Sequence, residues 1–332
     1  MRYLFLLTGF LLAASAMTQP LLSLEKIEAI LAGEEALLAA DWPGAYAIYD
    51  KLHREDTTDP AGYLFRAGVL QAEMTDREEN LYGVRFNDLL DSIRYLAKQK
   101  LLDCSRRDSA LCYLYLGHQY AYRSLWESRF GSGLAALGSG MKAKAAYEDG
   151  LKADSTLYDL YLGLGSYHYW KSVKAGFLRT IGLFGDDRAQ GIQEIKRAID
   201  SSLFSGKSAR AALIWIWINE KDYDSAVSLA TEMSQQYPSG NTFLWPLGEA
   251  YFKSGQYAPA TETYNKILER LKTEPGNYYN VIEAAYWLGL SFDKLGAKEK
   301  KDSIAAYIDS IYKDIPQEIR RKQRSRLGYL QK

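Results

Sequence analysis

A fixed spacing of small and aromatic residues limits this chain more than any other feature. In FLWPLGEAYFKSGQYAPATETYNKIL, Gly248 and Ala260 stand 12 residues apart, and Tyr251, Tyr257, Tyr264 and Ile267 flank them at helical intervals. Such a pattern suits two antiparallel helices that cross closely at Gly248 and Ala260, where a larger side chain would hold the backbones apart. Tyr251, Tyr264 and Ile267 then fill the space between this hairpin and its neighbours. Gly255 sits where the chain must reverse, and glycine adopts the left-handed conformation of a helix end at little cost.

The spacing returns on both sides. Leu213, Ile214, Trp217, Tyr223, Ala226, Ala230, Met233 and Pro238 form the preceding unit. Gly33, Trp42, Ala45, Tyr49 and Leu52 form the first, and Leu288, Gly289, Phe292, Gly296, Ile304, Ile308, Ile311 and Pro316 the last. On these residues the chain resembles the tetratricopeptide repeat family over nearly all of 17–332. The resemblance implies an all-α, right-handed solenoid of about seven helical hairpins, near 24–59, 61–102, 109–155, 157–203, 207–239, 241–275 and 279–316. Each hairpin buries its apolar face only against its neighbours, so the end needs a cap. PQEIRRKQRSRLGYLQK, basic at 320, 321, 322, 324 and 326, is expected to be that C-terminal capping helix. Contact with anionic lipid headgroups is the functional alternative for its charge.

Two hairpins are longer than the rest. Gly117 to Ala143 and Gly165 to Gly191 are 26 residues each, so hairpins 109–155 and 157–203 both carry 14 extra residues. The extensions, SLWESRFGSGLAALGSGMK and SVKAGFLRTIGLFGDDR, set Trp126, Phe130, Leu134, Phe177, Ile181 and Phe184 among glycines. GSG at 131–133 and at 138–140 reads as flexible turns. Stacked repeats place equivalent loops on one side, so 124–142 and 172–187 are expected to pack together and border the functional surface. Asp186 or Asp187 is expected to cap the helix that begins near Arg188. LFGDDRAQGIQEI also resembles a segment of the eukaryotic tetratricopeptide family that includes the inclusion-body clearance protein of the outer mitochondrial membrane. Phe184, Asp187, Arg188, Gly191, Ile192 and Ile195 carry this likeness within roughly 157–200. It implies a non-enzymatic helical protein and no catalytic residue.

MRYLFLLTGFLLAASA opens with one positive charge, an apolar run and an Ala-x-Ala ending. That order is a secretory signal peptide over 1–16, leaving an exported mature chain from Met17, expected in a bacterial periplasm and at most peripheral to a membrane. In an oxidising compartment Cys104 and Cys112 could pair; a buried small residue and a loop thiol explain them equally well. Lysine plus arginine equals aspartate plus glutamate at 41 each, so no basic excess points to nucleic acid.

Chemistry has few candidates. His118 and His168 follow Gly117 and Gly165 in equivalent helices, and Asp186, Asp187 and Glu127 are the carboxylates that could converge on them. Histidines on tyrosine-rich helix faces are more often packing residues. No phosphate loop, HExxH or nucleophile motif is present, so no catalytic residue, metal or cofactor is expected. The chain is therefore read as a non-enzymatic scaffold whose concave face, built from the first helix of each hairpin, holds a protein segment. The other reading is an apolar small molecule or lipid in an aromatic cavity beneath the two extensions. Candidate contact residues are Tyr120, Tyr122, Trp126, Phe130, His168, Trp170, Phe177, Phe184 and Arg188.

Overall fold

Short polar side chains start many of the helices. Ser23 Oγ accepts from Lys26 N at 3.2 Å, Asp41 Oδ1 from Gly44 N at 3.0 Å, and Ser105 Oγ from Asp108 N at 3.1 Å. Each satisfies an N–H that the first helical turn leaves without a partner. The structure, a computed structural model, describes residues 21–174, 176, 185–274 and 276–331. The expected signal peptide 1–16, Phe177, Ile181 and Phe184 lie outside the described residues.

Helices follow one another as hairpins. The first pairs α1 (Leu24–Leu38) with α2 (Trp42–Glu55), and the second α3 (Pro60–Arg77) with α4 (Gly83–Lys100). The third pairs α5 (Arg106–Phe130) with α6 (Gly133–Ala153), and the fourth α7 (Leu160–Lys174) with α8 (Arg188–Ser201). Then come α9 (Gly206–Glu220) with α10 (Tyr223–Gln236), α11 (Leu244–Lys253) with α12 (Tyr257–Leu271), and α13 (Tyr278–Lys294) with α14 (Lys298–Ile311). Two short helices, α15 (Gln317–Lys322) and α16 (Arg324–Leu330), close the chain. Neighbours in sequence are neighbours in space, and the described residues contain no strand. Among the described residues this is an all-α solenoid, with seven hairpins close to the expected bounds.

One packing device recurs. Gly33 of α1 lies against the Tyr49 ring of α2, Gly117 of α5 against Tyr147 of α6, and Gly248 of α11 against Tyr264 of α12. The partners are 16 residues apart in the first and last of these and 30 apart in the middle one. The difference is the 14-residue lengthening of hairpin three. Gly255 and Gly296 reverse the chain at φ 80° and 70°, the left-handed region where a side chain would be strained.

The lengthening of hairpin three is helix, not loop. Here α5 has 25 residues and α6 has 21, against 15 and 14 in hairpin one. Seven residues are about two helical turns, so each arm reaches about 10 Å further. Gly131 and Ser132 make the turn between them, whereas Gly138 to Gly140 lie inside α6 and not in a second flexible turn. The cap is also more apolar than expected. It breaks at Gln323, and Ile319, Leu327 and Leu330 are buried under its basic outer side. Arg326 pairs with Glu283 and lies 5.3 Å from the Tyr286 ring centre.

The superhelix is wound tightly enough for distant hairpins to touch. Glu34 Oε1 accepts from Ser208 Oγ at 2.6 Å and from Ser208 N at 3.2 Å, and Glu35 pairs with Lys207. Tyr237 donates its hydroxyl to Glu35 at 2.7 Å, and Leu38 belongs to the apolar core of the C-terminal half. Phe65 of α3 meets Phe204 edge-on at 6.0 Å, and Asn280 of α13 donates to the Asp76 carbonyl. At these levels the chain makes long-range contacts with itself between hairpins far apart in sequence.

Candidate functional site

Hairpins three and four bring together most of the residues singled out in the sequence, and most of them prove to be engaged within the chain. Tyr122 is half-buried, with Phe86 at 6.5 Å, His118 at 6.1 Å and its hydroxyl over Gly68. Burial pushes that hydroxyl up to about 12. Tyr120 packs on the N-terminal core, and Lys142 Nζ lies 5.9 Å from its ring centre. Trp126 donates its indole N–H to Asn80 Oδ1 at 2.9 Å, and Phe130 lies 6.3 Å from its ring. Trp170 meets Tyr169 edge-on at 5.0 Å.

Arg188 has a structural task. It pairs with Asp186 at 2.8 Å and with Glu220 of α9 at 2.9 Å, so it ties hairpin four to hairpin five. Asp186 Oδ1 also accepts from Arg188 N at 3.2 Å, which makes it the carboxylate that satisfies the start of α8. Asp187 instead pairs with Lys171 and donates its N–H to Ser172 Oγ at 2.9 Å.

The two equivalent histidines differ. His118 is turned into the hairpin, its Nδ1 3.1 Å from the Leu114 carbonyl and 3.3 Å from the Tyr147 hydroxyl, and burial lowers its pKa. His168 donates from Nδ1 to Glu194 Oε2 at 2.7 Å, and Gln190 donates to the other oxygen at 2.9 Å. Both members of the pair are buried. Glu194 is the partner that sequence reasoning missed. The signal was present: His168 lies three residues after Gly165 and Glu194 three after Gly191, so both share the faces that cross. Among the described residues no three His, Cys, Asp or Glu side chains gather as a metal set.

His168 also borders a cleft between hairpins three and four of about 520 Å3, together with Glu148, Leu151, Lys152, Leu164 and Gln190. The lining holds no tyrosine, tryptophan or phenylalanine and so is not the aromatic cavity expected of an apolar-ligand site. Cys104 and Cys112 are free thiols; Cys104 Sγ lies 3.2 Å from Ser109 Oγ, and burial pushes the Cys112 thiol up to about 12. The bridge left open by the sequence is not formed.

Four of the exposed large apolar side chains gather near the tip of hairpin three. Leu134 is 84 % exposed, Leu137 56 %, Met141 57 % and, on the facing arm, Leu125 49 %. Residues 134, 137 and 141 follow helical steps of three and four, so they form one stripe on α6. The stretch from Gly131 to Met141 carries no charge, while Arg123, Arg129, Lys142 and Lys144 flank it. Sequence reasoning chose the aromatic rings nearby because large rings are common anchors. It passed over Leu125, Leu137 and Met141, which are exposed on the two lengthened helices. Tyr167 of α7 would contact a side chain at Gly140 at 3.7 Å, and residues 177–184 of the second extension lie outside the described residues. No helix among the described residues is long and apolar enough to cross a membrane.

No protein-family model matches the chain, and no curated protein matches it. Among solved structures the chain is similar to a tetratricopeptide repeat protein from Parabacteroides merdae, at a TM-score of 0.43 and 13% identity, over 92% of this chain and 98% of that one.

Proposed function

We propose that the protein is an exported, non-enzymatic helical scaffold of the bacterial envelope that holds a protein segment against the tip of hairpin three. The observation that carries this reading is the exposed stripe Leu134, Leu137 and Met141 on a hairpin about two turns longer than hairpin one. Contiguous apolar surface of this kind on a soluble array is costly unless a partner covers it. Helical-repeat arrays bind through surfaces assembled from several hairpins.

The test is a pull-down from envelope extract with the wild type and with L134S/L137S/M141S. The wild type should retain a protein that the variant loses, while the melting temperatures stay within about 2 °C, because exposed side chains contribute little to stability. Equal capture by both proteins would refute the assignment of the tip. Export is tested separately: N-terminal sequencing of the protein from its native envelope should begin at Met17, and an intact Met1 would refute it.

A further inference from the structure

The contacts between distant hairpins form a seam with its own chemistry. At one end, α1 meets α9 and α10 through Glu34, Glu35 and Leu38. At the other, the turn after α1 and the end of α3 face residues 239–241 and Glu274 across a cavity of about 230 Å3. Ser239 Oγ donates to the Ala39 carbonyl at 3.3 Å, and a side chain at Gly240 would lie 2.9 Å from Ala40 Cβ. Close approach of backbone and single hydrogen bonds dominate here. Such a seam is more easily opened than the apolar stacking between consecutive hairpins.

The cavity gathers carboxylates from three places: Asp41 after α1, Asp76 near the end of α3, and Glu274 after α12. Glu73, Arg77 and Glu78 face Asp76 from its own element, and Arg77 is paired with Glu73 at 3.6 Å. From the opposite side come Glu274 and, from α13, Asn280, whose amide goes to the Asp76 main-chain oxygen. Arg270 of α12 is near Glu274, but its guanidinium holds the Gly240 carbonyl at 2.6 Å and the Pro238 carbonyl. At the far end of the seam, Ser208, Lys207 and Asp159 face Glu34.

We propose that this seam is a clasp closing the first two hairpins onto the C-terminal half, and that it loosens when Asp76 loses its proton. Opening would uncover the inner faces of α3 and α13 and return the inner surface to solvent. Burial, and then the Glu274 charge, raise the Asp76 carboxyl from 3.8 to about 6 in the closed chain. A carboxyl raised in the closed form favours that form when protonated. Its contribution is therefore complete below pH 3.8 and is lost as pH rises through about 6. Between pH 5 and 7.5 the closing equilibrium should weaken roughly tenfold. The device is independent of what binds at the tip of hairpin three.

Amide hydrogen exchange on the whole mature chain reads the clasp directly. Protection factors of the hydrogen-bonded amides of Ala40, Asp41 and Val281 beside the seam, corrected for the intrinsic pH dependence of exchange, should fall about tenfold from pH 5 to pH 7.5. Those in the middle of α5 and α6 should not change. D76N should shrink the step below threefold, and E274Q should also reduce it by removing the facing charge. The inference is overturned if the seam shows no pH step, or if the step stays above threefold in D76N. If D76N does not fold, a full tenfold step in E274Q overturns it instead.

Discussion

Tyr147→Ala should lower the unfolding free energy by about 3–5 kcal/mol, the range of large aromatic deletions in packed cores. Tyr147 is 1 % exposed and lies between Gly117 of its own hairpin and Gly163 of the next. Both glycines lack the side chain that could swing in to fill the space, so the site cannot collapse. The hydroxyl, 3.3 Å from His118 Nδ1, is a small part of the effect. Tyr147→Phe should therefore cost only about 1 kcal/mol, one neutral hydrogen bond. The position also joins hairpin three to hairpin four. In an array where each unit contacts mainly its neighbours, weakening one interface uncouples the parts on either side. Urea unfolding followed by helical circular dichroism should show an earlier midpoint and a broader transition for the alanine variant alone. Equal midpoints for the two variants would mean that the ring does not support the interface.

The hairpins were legible because their code is local. Gly248, Ala260 and Tyr264 lie within 16 residues of one another, and the same separation recurs at Gly33 and Tyr49. The nature of the 14-residue extension was less legible. Glycine at 131, 133, 138 and 140 suggests a loop by propensity, yet Gly138 and Gly140 are helical. Packing along α5 outweighs a propensity cost of about 1 kcal/mol per glycine. The seam was not legible at all. Glu34 and Ser208 are 174 residues apart, and their meeting depends on the small rotation each hairpin adds to the last. No residue pattern within one repeat records that sum. His168 and Glu194 fall between these cases, since the crossing glycines three residues before each mark the faces that meet.

That crossing supports the last prediction. A side chain at Gly191 would place its Cβ 2.6 Å from the Gly165 carbonyl oxygen, 2.8 Å from Tyr169 N and 3.0 Å from Tyr169 Cβ. From the other side, a Cβ at Gly165 would lie 2.7 Å from the Gly191 oxygen. These obstacles are backbone atoms, which cannot rotate away, so α7 and α8 would have to separate. Separation would also stretch the buried His168–Glu194 hydrogen bond of 2.7 Å. Helix propensity acts in the opposite direction, because replacing a mid-helix glycine by alanine gains about 1 kcal/mol. The overpacking cost of about 1–3 kcal/mol exceeds that gain, and Gly191→Leu should reach at least about 3 kcal/mol of destabilisation. Gly138 provides the opposite case, since nothing lies within 4 Å of a Cβ built there. Gly138→Ala in α6 should therefore stabilise the protein by about 0.5–1 kcal/mol. Thermal melts of the two variants should move in opposite directions from the wild type. A Gly191→Leu protein that melts with the wild type would show that the two helices do not cross at these glycines.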